Sequence, residues 1–118
     1  MALIEETVPS DRRIFDYYDK QHDPDGKYIV DFKVNGIKRP LLVFGIPNDD
    51  KCRDTTITCL QYEKYGIPFK SMAVFEDQES ITRKVLARFS DVCDKQFSTL
   101  ATNKDRISKY LSEIMEDQ

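Results

Sequence analysis

Three residues near the middle of the chain carry the side chains that metal-assisted phosphodiester hydrolysis uses, namely Asp31, Asp49 and Lys51. Carboxylates hold a Mg²⁺ or Mn²⁺ ion there, and a lysine assists the attacking water. The geometry calls for an acid at the end of one strand and an acid-x-lysine on the next. Asp31, within Tyr28-Ile29-Val30-Asp31-Phe32, suits the first position. The next apolar segment, Leu41-Leu42-Val43-Phe44-Gly45-Ile46, supplies neither an acid nor a lysine. The nearest Asp-x-Lys is Asp49-Asp50-Lys51, beyond Pro47, so a working site requires that loop to fold back onto Asp31. The expectation is therefore no catalytic residue, no metal and no cofactor, with Asp31, Asp49 and Lys51 as the constellation of an alternative only.

Other reactive groups are sparse. His22 is the sole histidine and lies in an Asp/Pro/Gly turn, where imidazoles are mostly solvated. Cys52, Cys59 and Cys93 form no Cys-x-x-Cys pair and are read as reduced thiols filling apolar space. No Gly-rich phosphate loop, Gly-x-Ser-x-Gly elbow or His-Glu-x-x-His helix is present. Binding is easier to place than catalysis. Lys33, Lys38 and Arg39 surround Asn35-Gly36, so a basic hairpin tip there can touch phosphates. Tyr17 and Tyr18 belong to an aromatic set larger than one small core needs. The expected binding residues are Tyr17, Tyr18, Lys38 and Arg39.

These groups have to be positioned by a single core, since 118 residues is the size of one domain. Lys and Arg total 18 against 21 Asp and Glu, a formal charge of −3, so no global field draws the protein onto nucleic acid. The apolar runs are far short of the ~20 residues of a membrane-spanning helix. The N-terminus, Met-Ala-Leu-Ile-Glu-Glu-Thr, has no secretory pattern, and a cytoplasmic location is expected.

Residues 1–10 lack periodicity and read as a flexible segment, leaving 11–118 as a single α/β domain. Pro9-Ser10-Asp11 predicts a helix over 11–21, with Ile14, Phe15, Tyr17 and Tyr18 as its stripe, although the two adjacent pairs also suit a strand. His22-Asp23-Pro24-Asp25-Gly26 is a turn. Residues 27–34 alternate as a half-buried strand, and Asn35-Gly36 is the pair favoured by a type I′ hairpin into the strand 41–46. Asn48-Asp49-Asp50 offers a cap for a helix over 51–65 closed by Gly66, with Ile57, Cys59, Leu60 and Tyr62 inward. A third strand spans 69–75. Glu76-Asp77-Gln78-Glu79 begins a helix burying Ile81, Val85, Leu86 and Phe89, and after a break near 97–103 a last helix covers 105–115. The order α-β-β-α-β-α-α gives a three-stranded mixed sheet with helices packed on it.

That order is similar to the core of restriction-endonuclease-like folds, whose metal site is written PD-(D/E)XK. The stretch from Tyr28-Ile29-Val30-Asp31-Phe32 through Asp49-Asp50-Lys51, the helix to Gly66 and the strand end Val74-Phe75-Glu76-Asp77 resembles the C-terminal domain of a bacterial and prophage-associated family of unknown function. The resemblance brings no catalytic residues. It implies a mobile-element setting in which small accessory domains bind a host or phage protein. The leading expectation is a non-enzymatic interaction or regulatory domain with a protein partner, with a homodimer as its candidate assembly. A metal-dependent nuclease and a nucleic-acid-binding module are the alternatives.

Overall fold

The computed structural model describes residues 2–116. Its centre is a five-stranded mixed sheet with strands in sequence order, β1 (Arg13–Tyr17), β2 (Val30–Val34), β3 (Leu41–Ile46), β4 (Lys70–Phe75) and β5 (Lys95–Phe97). The first three form an antiparallel meander, and β4 and β5 continue parallel to β3. Parallel neighbours need crossovers, and these are helices α2 (Asp49–Tyr65) and α3 (Arg83–Ser90). Both pack on one face with Leu42, Phe44, Ile46, Ala73 and Phe75. Helices α1 (Ala2–Thr7) and α4 (Lys104–Glu116) cover the other, against Phe32, Val34, Leu41, Val43, Met72 and Val74. Because β3 and β4 are covered on both sides, they read as apolar runs at 41–46 and 72–75. Among the described residues no helix is long and apolar enough to cross a membrane.

The three-stranded expectation is therefore corrected to five strands, and both missed strands lie at sheet edges. The helix expected over 11–21 is a short 3-10 turn at Ser10–Arg12 followed by β1. Arg13, Ile14, Phe15 and Tyr17 pair with Val34, Lys33, Phe32 and Val30, and Asp16 takes a left-handed φ of 47° within the strand. An edge strand whose middle residues are exposed on both faces shows no alternation, so two adjacent apolar pairs mimic a helical stripe. β5 has three residues, of which only Phe97 is buried, and gives no periodic signal at all.

Residues 2–7, expected to be loose, form α1, and Ile4 and Val8 are completely buried against β2, β3 and α4. Asn35-Gly36 does turn the chain, with Gly36 at φ 79°, but β2 and β3 are joined by six residues rather than a two-residue hairpin. Arg12 secures this loop by donating to the carbonyls of Asn35 and Gly36 at 3.0 Å each. The signals that bound α2 hold, whereas the helix expected to begin at Glu76 starts only at Arg83, after a 3-10 turn at Gln78–Ser80. Asn48 accepts the Lys51 amide at 2.9 Å at the start of α2, and Gly66 ends that helix at φ 76°.

Candidate functional site

Asp31 sits near the start of β2, one strand away from Gly45 near the end of antiparallel β3. Its Oδ2 accepts the Gly45 amide at 2.8 Å. The loop from Pro47 to Asp50 turns the chain sharply into α2, and the Asn48 cap places Lys51 in the first turn, back over β2. Lys51 Nζ then reaches both Asp31 oxygens at 2.9 Å, in a pair whose side chains are 31% and 28% exposed. The loop thus does fold back onto Asp31, but it delivers an ammonium. A divalent ion at Asp31 would have to displace that cation from both oxygens.

Asp49 points elsewhere. Its carboxylate accepts the Thr82 amide at 2.9 Å and the Thr82 hydroxyl, which tie the start of α2 to that of α3. The Thr82 hydroxyl, followed by its amide, holds the Asp49 carboxyl below its ordinary pKa. Asp50 reaches Arg53 at 3.2 Å on the exposed outer side of α2. Among the described residues no three His, Cys, Asp or Glu side chains gather closely enough to hold a metal ion.

Three of the four expected binding residues, Tyr17, Tyr18 and Arg39, make contacts within the chain. Tyr17 meets Tyr62 edge-on at 6.5 Å, with the Lys33 ammonium 4.2 Å from its ring centre. The Tyr18 ring lies against Gly26, 3.4 Å from where a Cβ would stand. Arg39 donates to the Phe69 carbonyl, pinning the β2–β3 connection to the entrance of β4. Lys38 is exposed in that connection. Of the three cations around the turn, Lys33 thus lies over Tyr17 and Arg39 on a backbone carbonyl. His22 stacks on Tyr65 at 4.8 Å and contacts Asp19 at 3.2 Å. Burial pushes the Cys52 and Cys93 thiols up to about 11 and the Cys59 thiol higher still, so none is an activated nucleophile.

The surface feature that sequence reading misplaced is the outer side of α2. Ile57 and Leu60, expected inward, are 52% and 49% exposed, while Thr55 and Thr58 are 1% and 6% exposed. The helix buries Cys52, Thr55, Thr58, Cys59 and Tyr62. The signal was available, because two residues of α-helix turn about 200° and put Ile57 almost opposite Cys59. Ile57 stands between two clefts. One, of about 310 Å³, is bordered by Lys27, Ile29, Lys51 and Asp54, and the other, of about 200 Å³, by Arg53, Val85 and Arg88. Ile29 is itself 47% exposed and continues the apolar ridge across from β2.

No protein-family model matches the chain, and comparison with curated proteins and with solved structures gives no significant match.

Proposed function

We propose that the chain is a non-enzymatic protein-interaction domain that docks its partner on the outer side of α2. The observation that carries this reading is the inversion of the helix, which exposes Ile57 and Leu60 and buries Thr55 and Thr58. Exposing two branched aliphatic side chains while burying two hydroxyls runs against the usual partition of these residues, and such reversals in folded domains mark surfaces covered by something else. Ile29 widens the patch, and the two clefts beside Ile57 give an incoming anchor somewhere to seat. Lys27 and Lys51 border one cleft with Asp54, and Arg53 and Arg88 border the other; Lys51 is held by Asp31 and Arg53 by Asp50, so of these four cations Lys27 and Arg88 stand outside ion pairs among the described residues. A partner with an apolar anchor and an acidic rim fits this surface best. The occupation of Asp31 by the Lys51 ammonium argues in the same direction, against metal-dependent hydrolysis at that position. A regulatory role on a host or phage protein, implied by the resemblance to mobile-element domains, belongs to the same proposal.

The test compares immobilised wild-type protein with the Ile57→Asp/Leu60→Asp double variant in quantitative affinity enrichment from a source lysate. Both changes are at half-exposed positions, and unchanged circular dichroism shows that the fold is kept. A protein retained by the wild type should be lost by at least about tenfold from the double variant, equivalent to roughly 1.4 kcal/mol. It should stay on an Ile14→Ser/Phe15→Ser variant, which alters the exposed side of β1 instead. Identical retention by wild type and the α2 variant would sink the assignment.

A further inference from the structure

A groove of about 640 Å³ opens at the carboxyl ends of β3 and β4, on the side of the sheet covered by α4. Gly45 and Val74, paired in register across the two parallel strands, form part of its floor, and Leu100 and Ala101 form a wall. Gly45 contributes no side chain to this floor. Along β3, Leu41 and Val43 fill this face, and Gly45 is the next position on it. Positive φ values belong to Gly26, Gly36, Gly66 and Asp16, so Gly45 keeps an extended backbone that any residue adopts. Its φ does not call for glycine, although the Asp31 carboxylate closes onto its amide at 2.8 Å. A glycine inside a strand forfeits packing and roughly 0.5–1 kcal/mol relative to alanine, and it recurs where a ligand must approach the backbone.

The rim is charged with opposite signs. Glu76 follows β4 and Lys104 is the first residue of α4; both are exposed, and neither belongs to an ion pair among the described residues. The positive end of the 13-residue α4 dipole falls on the Lys104 side. An apolar floor between an anionic and a cationic rim complements a molecule that is itself apolar between an ammonium and a carboxylate. The volume lies within the roughly 300–1,000 Å³ of small-molecule sites.

We propose that this groove binds a small apolar zwitterion of amino-acid to dipeptide size. The carboxylate meets Lys104 and the amino end of α4, the ammonium meets Glu76, and the apolar side chains lie on the floor left open by Gly45. This site is separate from the α2 surface, and neither depends on the other.

The test is an NMR titration of the full chain with the dipeptide Leu-Phe and with L-phenylalanine. Phenethylamine and 3-phenylpropionate, which keep one charge each, serve as comparisons. Saturable shifts are expected at Gly45, Val74 and Leu100, with the single-charge analogues at least about tenfold weaker. Gly45→Leu should abolish the shifts, and Lys104→Gln and Glu76→Gln should each weaken binding severalfold. The two rim variants change exposed side chains and keep the site testable if Gly45→Leu fails to fold. Absence of saturable shifts with Leu-Phe up to about 10 mM, where even a millimolar site would fill, overturns the proposal. Binding unaffected by Gly45→Leu overturns the site, and equal binding of a single-charge analogue overturns the ligand class.

Discussion

Replacing Thr55 with valine is expected to stabilise the protein. Thr55 lies on the buried side of α2 at 1% exposure, and its Oγ1 has no hydrogen-bond partner. Folding therefore strips water from a hydroxyl and returns nothing, a loss of about 1–3 kcal/mol for a buried unsatisfied group. Valine is nearly isosteric, puts a methyl where the hydroxyl was, and has a similar helix propensity. A net gain of about 1–2 kcal/mol follows. With an unfolding entropy of about 2.1 cal/mol/K per residue, the whole chain loses roughly 0.25 kcal/mol per degree near its midpoint, so the gain raises Tm by about 4–8 °C. Thr56→Val is the internal control, because the Thr56 hydroxyl donates to the Cys52 carbonyl at 2.8 Å and is only half-buried. That variant should move Tm by no more than about 2 °C, in keeping with a helix-local bond that competes with water. Differential scanning calorimetry on the three proteins separates the two effects. A Thr55→Val midpoint at or below that of the wild type would refute the reasoning, since it would mean that the hydroxyl is satisfied in solution.

Two further outcomes follow from burial. Ile4→Ala should cost about 2–4 kcal/mol in urea unfolding, as for other isoleucines truncated in a core, and a change under about 0.5 kcal/mol would show that α1 is not part of the folded unit. The thiols should resist a disulfide reagent in the native state: with Cys52 and Cys93 pushed up to about 11, roughly one in a thousand is ionised at pH 8, and Cys59 less. All three should react within minutes once the chain is denatured, and a rapid native-state reaction of more than the one equivalent that half-buried Cys93 supplies would contradict the burial of Cys52 and Cys59.

How much of this could be read beforehand depended on what each segment faces. β3 and β4 are covered by helices on both sides, so they announce themselves as apolar runs, and α2 is bounded by Asn48 and Gly66, whose chemistry is local. β1 reads first as a helix, with a strand kept open, for the opposite reason. At the edge of the sheet Ile14, Phe15 and Asp16 are all exposed, and the left-handed Asp16 breaks the pleat, so no single face collects the apolar side chains. β5 is stabilised by its parallel pairing with Met72–Val74 rather than by a pattern of its own. Residues 2–8 looked featureless because their burial rests on two side chains, Ile4 and Val8, received by strands and a helix far along the chain.

The phase of α2 decides both what meets Asp31 and which of the helix's side chains lie outside. The requirement that the Asp49–Lys51 loop return to Asp31 was a correct piece of geometry, but whether an acid or a base would arrive depended on which residue of the first turn points inward. The Asn48 cap fixes the phase of α2, and that phase sends Lys51 to Asp31 and Asp49 sideways to Thr82. The same phase turns Cys52, Thr55, Cys59 and Tyr62 toward the sheet and leaves Ile57 and Leu60 outside. A sequence reader who assumes that aliphatic residues point inward would rotate the helix and lose both facts at once. Besides Asp16, local rules are broken where α2 buries threonines beneath exposed isoleucine and leucine and where β3 carries a glycine that its φ does not require. Each sits beside a concavity, and a fold serving only its own stability would have put the aliphatic side chains inside α2 and a valine at position 45.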